Sequence, residues 1–234
     1  RTVDAALQKS PNSPLLHNLK GMVLRSSANI EGAREAFLRA QGLDATFYPA
    51  VQNRAMSYVE VGDFDTAAKV YADFLKANPR HESALIATAD LAMRRNATQE
   101  ERLKAIDQIV VALPDSVEGH LMKVGFFEAS GKATEALKAA EAAIAAVPDD
   151  LRLLDALARA QRKAGQSDQA IQTYNRILLN PSTSNDPYLR QAEIYASRAD
   201  WKSARAVISR ALARSPDSAD LRLARFRLLV LEGA

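Results

Sequence analysis

The chain has 234 residues, with 31 Lys and Arg against 28 Asp and Glu, and its formal net charge is +3. Glycine and proline are scarce, at nine each, and this composition argues against a turn-rich β-sandwich. The chain has no cysteine, which excludes disulfide bonds, a cysteine nucleophile and thiolate ligands for zinc.

The distribution of charge and of apolar residues bears on the kind of partner. Residues 1–116 contain equal numbers of basic and acidic residues, and acidic residues are interleaved with the arginines of the second half. Nucleic-acid-binding proteins instead concentrate positive charge on one face. No apolar run approaches the roughly 18 residues of a membrane span. We therefore expect neither a nucleic-acid partner nor membrane insertion by this segment.

A period of 34 residues runs along the chain, with one extra residue in the third repeat. Small residues recur at this spacing: Ala33, Ala67, Ala136, Ala170 and Ala204. Prolines close five of the repeats: Pro79, Pro114, Pro148, Pro181 and Pro216. The period divides the chain into repeats 14–47, 48–81, 82–116, 117–150, 151–184 and 185–218, with partial repeats 1–13 and 219–234. Two helices per repeat predict fourteen helices: a short first one, six pairs, and a last one over 219–231.

The repeat 48–81 shows how one pair of helices is built. Ala55 and Ala67 are small enough to let two helices approach closely, and larger side chains fill the space beside them. Gly62 at the turn suits the left-handed conformation that ends a helix. Either Asp63 or Asp65 is placed to cap the second helix.

These features resemble the tetratricopeptide repeat (TPR), and the resemblance covers essentially the whole chain. It implies an all-α, right-handed superhelical solenoid that forms a single array over residues 1–234. In such arrays the first helix of each repeat lines the concave face, and the implied function is non-catalytic protein–protein interaction in that groove.

The first part of the chain also resembles the long TPR lipoproteins of bacterial exosortase (PEP-CTERM) sorting systems, which are associated with exopolysaccharide loci. The resemblance lies in residues 18–21, 32–37 and 43–50. It implies an extracytoplasmic scaffold for exopolysaccharide assembly or protein sorting, anchored by a lipid in the full-length protein. The alternative is a regulatory or substrate-docking segment of a larger enzyme, with a cytoplasmic location.

The first residue and the last helix of the chain both bear on whether the array continues beyond it. Arg1 is not a methionine, and the last helix is rich in apolar residues although a terminal repeat needs a polar outer face. We therefore expect a fragment of a longer array, in which Leu223, Phe226 and Val230 lack a covering helix. Exposed apolar patches promote association, so weak self-association through the ends is expected.

Candidate partner-binding residues lie on the first helices. Met22, Met56 and Met93 form either an adaptable apolar strip or simple gap-filling between helices. A basic stripe lies on the first helix of the fifth repeat, where Arg152, Asp155, Arg159 and Arg162 share one face and Lys163 lies beside them. Arg190 of the sixth repeat is a further candidate residue.

The basic stripe has two interpretations. It is either a patch for an acidic partner or a ladder of ion pairs between repeats. Because charges alternate in sign at equal positions of neighbouring repeats, we favour the ladder, with Arg159 facing Glu193 and Arg162 facing Glu128.

The sequence holds no convincing catalytic, cofactor or metal site. The three histidines, His17, His81 and His120, have no second histidine or cysteine at metal-ligand spacing, and structural roles are expected for them. We assign no catalytic residue, no cofactor and no metal ligand.

Overall fold

The computed structural model describes residues 2–95 and 97–233, and these residues form α-helices without any strand. The helices are α1 (Thr2–Lys9), α2 (Pro14–Ser26), α3 (Ile30–Leu43), α4 (Tyr48–Val59), α5 (Phe64–Ala77), α6 (Glu82–Arg94), α7 (Gln99–Ala112), α8 (Val117–Ala129), α9 (Ala133–Ala146), α10 (Leu151–Lys163), α11 (Ser167–Leu178), α12 (Asp186–Ser197), α13 (Trp201–Arg214) and α14 (Ala219–Glu232). The expected fourteen helices are confirmed across the described residues. The last helix is one residue longer than predicted.

The chain divides within the first turn of α8 into two compact units, Arg1–Gly119 and His120–Ala234, which we call the N-terminal and the C-terminal unit. In both units the even-numbered helices from α2 onward are the first helices of repeats, and the odd-numbered helices from α3 onward are the second helices. None of the described helices is both long and apolar enough to cross a membrane.

The five alanines that mark the period are all fully buried: Ala33, Ala67, Ala136, Ala170 and Ala204. In the N-terminal unit, Ala67 lies in a cluster with Val70 and Phe74, and in the C-terminal unit Ala204 lies in a cluster with Ile208. A methyl group at each of these points lets two helix backbones come close, as the sequence predicts.

In five of the six repeats, the turn contains one residue in the left-handed conformation. Gly62, Gly131 and Gly165 have φ angles of 80°, 69° and 80°. Ala28 and Ala199 occupy the same position in their repeats with φ of 61° and 57°, although alanine is strained there. The equivalent residue of the third repeat, Asn96 in the polar turn, lies outside the described residues.

Short polar side chains cap several second helices directly after these turns. Asp63 accepts a hydrogen bond from the backbone N–H of Thr66 at 3.1 Å, so Asp63 rather than Asp65 is the capping residue. Asp200 accepts in the same way from Ser203 at 3.0 Å. Hydrogen bonding to Thr66 lowers the pKa of Asp63, because these bonds favour the charged carboxylate.

The helices on the two sides of the loop 179–185, α11 and α12, pack against each other. The side chain of Gln191 in α12 donates to the carbonyl oxygen of Ile171 at 3.1 Å and to Oδ1 of Asn175 at 2.8 Å, and both acceptors belong to α11. Leu178 of α11 also packs against the cluster that contains Tyr188. The helices on the two sides of this loop are therefore in direct contact.

Candidate functional site

A groove with charged walls opens on the first-helix side of the C-terminal unit, and we call it the polar groove. Its volume is about 520 Å³. Leu121 and Ile177 contribute apolar surface, and residues 182–184 contribute hydroxyl groups from the loop before α12. The charged residues that line it are Arg152, Asp155, Arg159, Asp186 and Arg190.

Two carboxylates in and beside this groove each bridge two basic side chains. Glu128 of α8 accepts a hydrogen bond from Arg159 at 2.5 Å and lies 3.5 Å from Lys163. Asp155 of α10 accepts from Nε of Arg159 at 3.0 Å and lies 3.6 Å from Nε of Arg190 in α12. Three successive first helices are thus joined by ion pairs.

Ion pairs do connect neighbouring repeats, but the two predicted pairings, Arg159 with Glu193 and Arg162 with Glu128, are wrong. Arg159 pairs with Glu128 of the preceding repeat rather than with Glu193, and Glu128 bridges Arg159 and Lys163 rather than meeting Arg162. Helices that pack side by side cross at an angle, so equal positions in neighbouring repeats do not lie level with each other. The long, flexible side chains of Arg159 and Lys163 therefore pair with the carboxylate that lies nearest to them, Glu128.

The environment of Arg159 favours its charged form. Burial alone would lower the pKa of Arg159, but the carboxylates of Glu128 and Asp155 together outweigh burial, and the pKa is raised. The Glu128 side chain is only 9% exposed, so this pair is better shielded from water than an ordinary surface ion pair. Arg159 therefore has a structural role beside the groove.

Two buried donor groups near the polar groove remain without hydrogen-bond partners among the described residues. Nε of Arg190 is buried and donates no hydrogen bond. The hydroxyl of Tyr174 is also buried without a partner, and burial raises its pKa to about 12. The Arg190 side chain as a whole is 35% exposed, so the rest of its guanidinium group can be reached from solvent.

The other two arginines of the basic stripe point to different surroundings. Arg152 is exposed at the groove wall, 3.6 Å from Asp150, whose carboxylate caps α10. Arg162 is exposed near the end of α10. The stripe therefore combines paired, structural residues with residues that remain accessible.

A second groove lies between α12 and α14 of the same unit, and we call it the apolar groove. Its volume is about 320 Å³. Its apolar lining is formed by Leu189, Ala192, Ala196, Leu223, Ala224, Leu228 and Leu231. Three charged residues complete its lining: Glu193, Asp220 and Arg227. Sequence reasoning missed this groove, because it treated Leu223 only as a residue without a covering helix.

The exposure expected for the last helix is confirmed. Leu223, Phe226 and Val230 are 46%, 63% and 53% exposed. Leu223 alone among these three lines the apolar groove, so α14 presents apolar side chains both to the groove and to solvent elsewhere.

The three methionines of the N-terminal unit are all at least partly accessible. Met22 is exposed, and Met56 and Met93 are half-buried. Beside Met22, the side-chain amide of Asn53 donates to Oδ1 of Asn18 at 3.0 Å. This pairing was not predicted, because the two asparagines occupy different positions in their repeats.

Two of the histidines have structural roles, as expected. Nδ1 of His81 accepts from the backbone N–H of Ala84 at 3.3 Å and so caps α6. The His81 ring also packs on Tyr48, with ring centroids 4.5 Å apart. Nε2 of His17 lies 2.8 Å from the carbonyl oxygen of Pro11. The described part of the chain contains no group of three or more residues arranged to hold a metal ion.

Sequence comparison decides the family. The tetratricopeptide repeat family matches residues 53–117 and again residues 128–193, which together make up more than half of the chain. The chain belongs to the tetratricopeptide repeat family. No curated protein sequence matches the chain significantly.

Several solved structures resemble this TPR chain. The APC/C hetero-tetramer Cut9–Hcn1 aligns with a TM-score of 0.55 and 17% identity, over 97% of this chain and 45% of that one. A tetratricopeptide repeat protein from Parabacteroides merdae aligns with a TM-score of 0.49 and 19% identity, over 97% and 90%. TTC0263, a thermophilic TPR protein of Thermus thermophilus, gives 0.48 and 17% over 79% and 100%. The likeness to Cut9–Hcn1 concerns the fold, and it agrees with the expected TPR solenoid.

TPR proteins generally act as scaffolds that bind other proteins, and membership of the family indicates this coarse role for the chain. The polar and apolar grooves are the candidate binding surfaces of the C-terminal unit. The accessible methionines mark a corresponding region of first helices in the N-terminal unit.

Proposed function

We propose that this TPR segment is a non-catalytic scaffold that binds a protein or peptide partner along its first helices. The observation that carries the proposal is the presence of two grooves on either side of one first helix, α12. One groove is mainly apolar, and the other is lined by Arg190, whose buried Nε donates no hydrogen bond. Apolar surface with a few polar groups for orientation is typical of ligand-binding clefts.

Site-specific photo-crosslinking in the intact protein, expressed in its native host, tests this proposal. A photoreactive residue replaces Met56 or Arg152 on the first helices, and in matched controls it replaces the exposed residues Ala72 or Gln172 on second helices. We expect discrete crosslinked proteins from the first-helix positions only. Crosslinks that form only from the second helices would show that the partner binds the opposite surface.

The proposed cellular context is an extracytoplasmic assembly concerned with exopolysaccharide or protein sorting, with a lipid anchor in the full-length protein. Its support is the resemblance of residues 18–21, 32–37 and 43–50 to the TPR lipoproteins of exosortase systems. Protease accessibility of the intact protein in spheroplasts tests the location. Full protection from external protease, with a cytoplasmic marker protected equally, would favour the cytoplasmic alternative.

Weak self-association through α14 also belongs to this proposal, because Phe226 and Val230 are exposed apolar residues on that helix. Light scattering over a range of concentrations should show an average mass that rises with concentration, and Phe226→Ser should reduce the rise. A strictly monomeric chain at high concentration would contradict this part of the proposal.

A further inference from the structure

We propose that the polar groove of the C-terminal unit is a binding site for a small, soluble phosphate monoester. Arg190, Arg152 and the hydroxyl of Ser182 would hold the phosphate, and the organic part of the molecule would lie on the apolar surface of the groove. This inference goes beyond the scaffold function, because the ligand is a small molecule rather than a protein and the site occurs at one place in the array.

The loop that lines the groove departs from the pattern of the repeats. Every other described connection from a second helix to the next first helix has four residues, whereas the connection 179–185 has seven. The main reason is that α11 is two residues shorter than the other second helices. Ser182, Thr183 and Ser184 of this loop line the polar groove. Departures from an otherwise regular pattern are expected where a protein has a functional requirement.

Hydrogen bonds hold this longer loop in a defined position. The hydroxyl of Thr183 donates to the carbonyl oxygen of Ile177 at 2.9 Å, and Arg214 of α13 donates to the carbonyl oxygen of Thr183 at 3.0 Å. Oγ of Ser184 accepts from the backbone N–H of Asp186 at 3.3 Å. The loop therefore forms a preformed wall, and a ligand that binds there does not have to order it.

Arg190 is the main candidate for the contact with the phosphate. Its Nε is buried and donates no hydrogen bond, and Asp155 lies 3.6 Å from this atom. Asp155 instead accepts a hydrogen bond from Nε of Arg159 at 3.0 Å. The Arg190 side chain is 35% exposed, so the outer part of its guanidinium group can turn toward a ligand in the groove. Hydrogen bonds from a guanidinium group to phosphate are among the stronger ones in proteins.

The positions of the donors favour a phosphate over a carboxylate. Arg152 of α10, Arg190 of α12 and Ser182 of the loop line the groove from three different elements. A carboxylate is planar and matches a single guanidinium group, whereas the three terminal oxygens of a phosphate monoester point in different directions. Arg152 is exposed and lies 3.6 Å from Asp150. Exposed ion pairs of this kind are weak, so Arg152 can also contact a ligand.

Two carboxylates in the lining limit the affinity for an anion without preventing its binding. Asp155 is paired with Arg159, which reduces its repulsion of a phosphate. Asp186 is exposed, so water screens its charge. Both carboxylates can also accept hydrogen bonds from hydroxyl groups on the organic part of the ligand.

The remaining lining provides the surface for that organic part. Leu121, Leu151, Ile177 and Pro187 contribute apolar groups to the groove. Covering such groups is favourable in proportion to the area removed from water. The groove volume of about 520 Å³ falls within the range that is usual for small-molecule sites.

Isothermal titration calorimetry on the full chain tests the inference with phenyl phosphate, inorganic phosphate and phenol as probes. We expect saturable binding of phenyl phosphate and about tenfold weaker binding of inorganic phosphate, because only the former covers the apolar surface. Phenol should show no measurable binding. The affinity for phenyl phosphate should fall as the salt concentration rises.

Variants of the chain locate the site. Arg190→Ala should weaken the binding of phenyl phosphate about tenfold or more, and Arg190→Lys should weaken it less, because lysine keeps the charge but loses the planar fork. Arg152→Ala, at an exposed position that the fold does not need, should weaken it about threefold. Arg80 is an exposed arginine of the N-terminal unit, and Arg80→Ala should leave the affinity unchanged. Circular dichroism verifies that each variant is folded.

Four results would each overturn the inference. The first is the absence of saturable binding of phenyl phosphate. The second is equal affinity of the Arg190→Ala, Arg152→Ala and Arg80→Ala chains. The third is inorganic phosphate that binds as tightly as phenyl phosphate, which would indicate an adventitious ion only. The fourth is binding of vesicles that contain phosphatidic acid, lost in Arg190→Ala, without binding of phenyl phosphate, because the phosphate would then belong to a lipid headgroup. Crosslinks from the first helices to a protein partner test the scaffold function independently of all four.

Discussion

A close contact between two helices of the N-terminal unit predicts a strong effect of a single methyl group. Gly21 in α2 is buried against Phe37 in α3, and a Cβ atom placed on Gly21 would lie only 2.4 Å from Cε1 and 2.5 Å from Cδ1 of the Phe37 ring. Non-bonded carbon atoms are comfortable at about 3.5–4.0 Å, so the ring must retreat by about 1 Å. Phe37 is fully buried in a cluster with Ala33 and Ala40, which leaves it little room.

The size of the effect follows from two opposing terms. Overpacking a core costs about 1–3 kcal/mol, and an added Cβ atom 2.4 Å from a fully buried ring places this site at about 2–3 kcal/mol. Alanine is favoured over glycine in a helix by up to about 1 kcal/mol, which offsets part of that cost. We therefore expect Gly21→Ala to lower the free energy of unfolding by about 1–2 kcal/mol. Urea denaturation followed by circular dichroism measures the change.

Gly125 provides the control, because it is a glycine inside helix α8 where an added Cβ atom would meet nothing within 4 Å. Gly125→Ala should raise the free energy of unfolding by about 0.5–1 kcal/mol. The same substitution thus has opposite signs at two helical sites. Phe37→Leu should relieve the clash, so that Gly21→Ala costs less in its presence. A neutral or stabilising Gly21→Ala, or an unchanged cost beside Phe37→Leu, would refute this packing of α2 on α3.

Three further predictions concern charge and backbone conformation. In double-mutant cycles to alanine, the coupling energy between Arg159 and Glu128 should be about 1 kcal/mol, and that between Arg159 and Glu193 should be nearly zero. The opposite result would support the pairing of Arg159 with Glu193 that the repeat positions predict. Ala199→Gly should stabilise the chain by about 1 kcal/mol in urea denaturation, since the left-handed conformation strains alanine, and an unchanged midpoint would count against this strain. Because the folded pKa of Asp63 is lowered, its cap contributes stability above the ordinary carboxyl pKa and loses it as the pH falls through the folded value. With Asp63→Asn, the free energy of unfolding should therefore fall less steeply as the pH is lowered into the acid range. A variant whose free energy of unfolding falls as steeply as that of the unchanged chain would contradict this.

Residues that act through a local pattern were predicted well. The alanines at the 34-residue spacing are buried because a small side chain is needed wherever two helices of a repeat touch, and that requirement recurs at a fixed position. Asp63 was one of two predicted caps, and the structure selects it by its hydrogen bond to Thr66. The turn residues were predicted only where they are glycine, since Ala28 and Ala199 adopt the same conformation without that signal.

The candidate site was predicted less well, for a physical reason. The basic stripe could be read from helical spacing, because residues three or four apart on one helix share a face. Other features of the site join two different helices, so helical spacing does not reveal them. They are the ion pair of Arg159 with Glu128, the contact of Asn53 with Asn18, and the apolar groove beside Leu223.

The repeat period, the residue pattern within it and its resemblance to the TPR were sufficient to predict the helices, their pairing and the small residues between them, since these depend on contacts that recur within each 34-residue unit. Only the tertiary structure decided the choice of ion-pair partner, the burial of Nε of Arg190 without a hydrogen bond, and the opening between α12 and α14. Crossing angles and side-chain reach set which groups of neighbouring helices meet, and neither is encoded in the position of a residue within its own repeat.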